Sequence, residues 1–265
     1  MKATLALGLL CLVFAVAVSS APSPTGAQGD PATAAATATL PPGAEGQLIA
    51  YGRDLITDTR KLMPNNVGAR MDCAACHLSA GTVPHGGSFL GIYAKFPQWN
   101  RRSGRFIALQ DRLAECFLYS MNGRPPAYSS KEMIAMTAYI AFLSRGAPVG
   151  TGFPDQDFVT VTAAHPADAT AGGALFSAKC ALCHGADGAG SAGIPPLWGP
   201  TSFNTGAGMN TKMPGFVKAN MPLGQGNTLT DQEAIDVSAF VVSHSRPAFV
   251  PDRTIDFPPL PSKFF

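Results

Sequence analysis

Apolar side chains recur at helical spacing along residues 129–146 (SSKEMIAMTAYIAFLSRG) and again along 230–247 (TDQEAIDVSAFVVSHSRP). Both stretches are apolar at i, i+3, i+4 and i+7, the period of a helix with one buried face. Each opens on Ser or Thr with an acid three residues on or nearby, a start signal, and Gly146 and Pro247 fit the ends. Earlier in the chain, GQLIAYGRDLITDT (46–59) and AGGALFSAKC (171–180) show the same period. A long Gly- and Pro-rich loop lies between the members of each pair. The pattern predicts a mainly α protein in which one helical unit is stated twice.

The ends lack this period. Residues 1–21 (MKATLALGLLCLVFAVAVSSA) join a lysine, an apolar run and small residues, the layout of a secretory signal peptide cleaved after Ala21. The apolar run is shorter than the ~20 residues of a spanning helix. Residues 22–44 are rich in Pro, Ala, Thr and Gly and read as a flexible tether, because such a composition buries too little apolar surface to offset the entropy of ordering. The expected division is signal peptide 1–21, low-complexity tether 22–44, N-terminal domain 45–147, linker 148–165, C-terminal domain 166–250 and tail 251–265. The linker carries a candidate strand at 158–162, and the tail is expected to run over the domains as extended chain. No second apolar stretch is long enough to span a membrane. The mature chain is therefore expected to be extracytoplasmic, in the periplasm or its equivalent, without stable membrane insertion. A net charge of only +2 argues against nucleic acid and an anionic membrane as partners, so any functional charge is expected to be local.

Cysteine usage changes the picture. Loss of Cys11 with the leader leaves five cysteines, and four of them form two identical motifs: CAACH (Cys73, Cys76, His77) and CALCH (Cys180, Cys183, His184). In C-x-x-C-H the thiols form thioethers to two haem vinyl groups, and the adjacent histidine becomes an axial iron ligand. Paired cysteines of a zinc ribbon lie ~15–20 residues apart; these pairs are 107 positions apart. A redox disulfide needs no histidine after it, and here one follows twice. Two covalently bound haem c groups in two tandem cytochrome c-like domains are therefore expected.

The fifth cysteine, Cys116, lies 39 positions after His77, and Met221 lies 37 after His184. Both precede a turn leading into a closing helix, so the repeat sets a cysteine on one iron and a methionine on the other. Met209 and Met213 are nearer candidates in the second unit. In the first, Met121 is the alternative ligand, with Cys116 then an inert buried thiol. Arg112, Cys116 and Ser120 are spaced i, i+4, i+8 and share one helix face, with Leu113 and Phe117 beside it and Arg102 upstream. Flanking guanidinium groups favour a thiolate at Cys116. His85 and His244 are assigned to surface or packing roles, and Trp99 and Trp198 to packing near the haems.

With these residues in view, the chain resembles the thiosulfate dehydrogenase family of dihaem c-type cytochromes. The resemblance rests on Arg-x9-Arg-x3-Cys-x3-Ser, read here as Arg102, Arg112, Cys116 and Ser120, and on SMNGRP (120–125), GTVPHGGSFLGIYAKFPQW (81–99) and NMPLG (220–224). It covers roughly residues 45–250. It implies His77/Cys116 ligation of the first haem and His184/Met221 ligation of the second. It also implies the coupling of two thiosulfates to tetrathionate, possibly reversible, with electrons leaving through the second haem to a small acceptor such as a soluble cytochrome c. Some members place a lysine before the methionine as an exchangeable ligand; Asn220 stands there instead, so that exchange is not carried over, although Lys218 is close. Competing readings are a non-enzymatic dihaem electron carrier and a sulfur-carrier cytochrome subunit.

Overall fold

The computed structural model describes residues 30–249. The expected leader 1–21, the first part of the expected tether and the expected tail 251–265 lie outside the described residues. Seven helices carry the architecture of the described residues: α1 (Pro31–Ala36), α2 (Gly43–Thr57), α3 (Leu109–Glu115), α4 (Lys131–Phe142), α5 (Ala169–Lys179), α6 (Met209–Asn220) and α7 (Asp231–Ser243). A two-stranded antiparallel hairpin, β1 (Gln98–Asn100) and β2 (Arg105–Ile107), precedes α3 with Trp99 paired to Phe106.

The repeat is visible in the packing. In the first half α2 lies against α4, and in the second α5 lies against α7. Both crossings pass through a glycine. A Cβ on Gly52 would sit 2.0 Å from the Ala135 carbonyl oxygen, and one on Gly172 would sit 2.0 Å from that of Asp236. Only hydrogen fits there, which lets the two backbones touch. The closing helices begin as their sequences predict. Ser130 accepts from Met133 N, while Thr230 and Glu233 form a reciprocal capping box.

Three segments depart from expectation. Part of the supposed tether is helical: the Asp30 carboxylate caps α1, and Ala32 and Ala35, one turn apart, are buried in the N-terminal core. Residues 158–162 form no strand; Thr162 N donates to Asp231 instead of a neighbouring strand. Helix α6 occupies part of the expected loop. Pro214 and Gly215 hide it from a periodicity reading, and Gly215 is needed because a Cβ would meet the Val159 carbonyl oxygen at 2.2 Å.

Beside the N-terminal core, a second apolar cluster joins the two halves. Ala69, Met71 and Met121 from the first join Phe176, Phe203, Ala207, Met213, Val237 and Val241 of the second in a single apolar cluster. Around it, Arg70 N donates to Thr201 O (2.7 Å), Asn204 Nδ2 to Leu118 O (2.9 Å) and Asn220 Nδ2 to His85 O (3.0 Å). The Arg70 guanidinium adds bonds to Ser191 O and Ala189 O.

Candidate active site

Each half contains a cavity, of about 220 Å³ in the first and about 230 Å³ in the second. Either exceeds the ~150 Å³ void that admits benzene. Cys73, Cys76 and His77 line the first cavity together with Arg112, Cys116 and Ser120. Helix α3 delivers Arg112. At Cys116 the helix widens into a single π turn, Cys116–Ser120, closed by Met121 N donating to Cys116 O at 2.9 Å. Such turns recur at functional sites because they displace side chains from the regular spiral. The regular i, i+4, i+8 alignment expected from sequence is thus broken after Cys116, yet all three residues still reach one cavity.

His77 is held for a single purpose. Its ring stacks on Phe89 with centroids 4.2 Å apart, and Nδ1 meets the Gly87 carbonyl. A carbonyl only accepts, so Nδ1 carries the proton and Nε2 keeps its lone pair. Gly87 has φ +66°, and a Cβ there would lie 2.3 Å from Cys76 O and 3.0 Å from His77 Nδ1. Burial draws the His77 pKa down to about 4, so the imidazole is neutral. Burial also pushes the Cys73 and Cys76 thiols up to about 12. In the second cavity His184 Nδ1 meets Pro195 O at 3.2 Å, and burial again lowers the ring's pKa.

A neutral imidazole with a free Nε2, set beside two thiols at the edge of a largely apolar cavity, fits a covalently attached haem c. The arrangement occurs twice. Among the described residues no group of three or more His, Cys, Asp or Glu is arranged to hold a metal ion, so the zinc alternative lacks its donor set. None of the five described cysteines is in a disulfide.

Comparison with known proteins agrees with this division. Residues 65–149 match the SoxA/TsdA cytochrome c domain, and residues 169–245 match cytochrome c. The thiosulfate dehydrogenase of Allochromatium vinosum is 43% identical over 229 residues, covering 82% of this chain and 85% of that protein. The chain belongs to the thiosulfate dehydrogenase family. The thiosulfate dehydrogenase of Stutzerimonas stutzeri is 39% identical over 78% of this chain and 70% of its own length. The solved structure of thiosulfate dehydrogenase (TsdBA) from Marichromatium purpuratum superimposes with a TM-score of 0.75 at 32% identity. It covers 84% of this chain, which in turn spans about half (52%) of that longer one.

In this thiosulfate dehydrogenase family member, the remaining sequence-predicted residues divide between the two cavities and the seam that joins the halves. Arg112 Nη1 lies 3.4 Å from Glu115 Oε2, and its side chain is 44% exposed. The charge of Cys116 is the main cause raising the Arg112 pKa above its ordinary value. Arg102 does not line the cavity. Its guanidinium lies 3.8 Å above the Tyr119 ring and donates to Gly206 O in the second half at 2.9 Å. Met121 lines the first cavity but belongs to the shared apolar cluster. Met221 lines the second cavity, as do Met209 and Met213. Lys218 Nζ is tied to Leu229 O and lies 3.4 Å from Asp231, and Asn220 is anchored to His85 O and Phe216 O.

Trp99 corrects an expectation. It is 53% exposed, because strand alternation turns it outward, where it meets Phe106 edge-on. Trp198 does pack, stacking on His244 and touching Phe176 and Phe240. His85 Nδ1 bonds Asp157 O, and none of His85, His165 and His244 lines either cavity. Sequence reasoning missed Glu115 and Asn100, joined at 2.8 Å. The available signal was an acid inside the otherwise apolar run LAECF.

Proposed function

We propose that this protein oxidises thiosulfate, coupling two molecules to tetrathionate, and passes two electrons to an external acceptor; the same parts serve the reverse reaction. The carrying observation is the convergence of Cys116, Arg112 and Ser120 on the cavity of His77 in a chain of this family. In this reading His77 and Cys116 hold the first haem c, attached through Cys73 and Cys76. His184 and Met221 hold the second, attached through Cys180 and Cys183. When bound, these groups would supply one-electron acceptance.

The difficulty of the reaction is charge. Two dianions about 6 Å apart at an effective dielectric near 20 repel by roughly 11 kcal/mol. Arg112 offsets part of this through charge-assisted hydrogen bonds to sulfonate oxygens, and Ser120 adds a neutral one. Arg102 is assigned the same task, which requires it to leave Gly206 O. Cys116 removes the need for both anions to react at once. Its thiolate sulfur bonds the sulfane sulfur of the first thiosulfate with loss of two electrons, giving a cysteinyl S-sulfonated persulfide. The sulfane sulfur of the second thiosulfate then attacks the sulfur next to the sulfonate, forming tetrathionate and releasing the Cys116 thiolate.

Met71 and Cys76 line both cavities, which supports electron transfer from the first site to the second and on to a small acceptor such as a soluble cytochrome c. Among the described residues no helix is long and apolar enough to cross a membrane. With the leader at 1–21, the reading places the enzyme in the periplasm or an equivalent compartment. Purified holoprotein given thiosulfate and ferricyanide alone tests the proposal. Tetrathionate formation is expected, and no unaided turnover would return the protein to an electron carrier or a sulfur-carrier subunit.

A further inference from the structure

Glu115 is the last residue of α3, immediately before Cys116, and its side chain is 8% exposed. A carboxylate buried to this degree is costly unless both oxygens are satisfied. Here Oε1 accepts from Asn100 Nδ2 at 2.8 Å, and Oε2 lies 3.4 Å from Arg112 Nη1. Asn100 is held in turn: its Oδ1 accepts from Arg102 N at 2.8 Å and Ser103 N at 3.2 Å, which fixes the β1–β2 turn. One buried carboxylate is thus joined directly to Arg112 and, through one amide, to the backbone of Arg102. The guanidinium fork of Arg112 retains further N–H donors for an oxyanion.

Resting on the proposed function, we infer that Glu115 is a positioning residue for the anion site, setting Arg112 directly and the Arg102 turn through Asn100. It touches neither substrate nor haem in this role. The charge of Glu115 also repels an anion, so a charge-removing variant would mix two opposed effects. Glu115→Asp keeps the charge and withdraws it by one methylene, which isolates geometry.

The test uses oxidised holoprotein with sulfate as a dianion that cannot be oxidised, read by titration calorimetry beside thiosulfate kinetics. Glu115→Asp is expected to raise the sulfate Kd and the thiosulfate KM about tenfold, equivalent to ~1.4 kcal/mol, with kcat within about threefold. In an Arg112→Ala background the same change should have less than about a twofold effect, because coupled residues do not add. Asn100→Ala, at the edge of the hairpin, should give a smaller rise that Arg102→Ala reduces and that vanishes only when Arg102→Ala and Arg112→Ala are combined. If Glu115→Asp leaves both constants within about twofold, or acts equally with and without Arg112, the inference is overturned. Wild-type protein that binds sulfate with this coupling but fails to oxidise thiosulfate would overturn the functional reading alone.

Discussion

The two cavities begin from the same plan and diverge in the side chains set against it. Both have a C-x-x-C-H wall, a histidine proton committed to a carbonyl and a closing helix that crosses its partner at a glycine. The second cavity is lined by Met209, Met213, Met221 and other apolar side chains, with Lys179 the one Lys, Arg, Asp or Glu in its lining among the described residues. The first is lined by Arg112, Lys95, Asp72 and Asp157 and by Cys116, Ser120, Gln98 and Gln156 among mostly apolar residues. A shared scaffold thus carries one cavity with charged and hydrogen-bonding side chains in its wall and another that is almost wholly apolar. The difference lies in the segment before each closing helix, where a π turn bearing a cysteine stands against α6 ending at a methionine.

The sharpest way to break this contrast is to erase its key residue. Cys116→Gly should abolish tetrathionate formation while haem staining and mass still show two attached haems; near-wild-type turnover would remove the cysteine from the chemistry. Arg112→Ala should raise the thiosulfate KM about 100-fold, the ~3 kcal/mol upper range of a hydrogen bond to a charged group, with an unchanged KM counting against it. The shared scaffold gives the next effect. Gly52→Ala and Gly172→Ala should each destabilise the holoprotein by about 1–3 kcal/mol through overpacking, measured by denaturant unfolding, and only equal losses fit equivalent crossings. Ser120→Ala should cost about 0.5–1.5 kcal/mol of transition-state binding, a few-fold to about tenfold in kcat/KM.

What could be read from sequence was what is local. The C-x-x-C-H motifs fix thiol and imidazole within five residues, and capping at Ser130 and Thr230 follows from adjacent positions. The Arg112, Cys116 and Ser120 grouping was legible as well, although from a regular helical period that the π turn interrupts. What escaped depends on contacts distant in the chain. Nothing near Met71 announces that it walls both cavities, and nothing near Arg102 announces the Gly206 carbonyl 104 positions away. Helix α1 was hidden by composition: an alanine-rich segment reads as unstructured until a partner surface receives Ala32 and Ala35. Glu115 was hidden because burial, which makes an acid consequential, is not written in its neighbours.

The central claim is that the Cys116 sulfur coordinates the first iron. Electron paramagnetic resonance of the oxidised holoprotein, compared with Cys116→Gly, tests it most directly. The account predicts a low-spin, thiolate-ligated haem signal in the wild type that disappears in the variant while the second haem's signal persists. A wild-type spectrum without that component, or one that Cys116→Gly leaves unchanged, would contradict it.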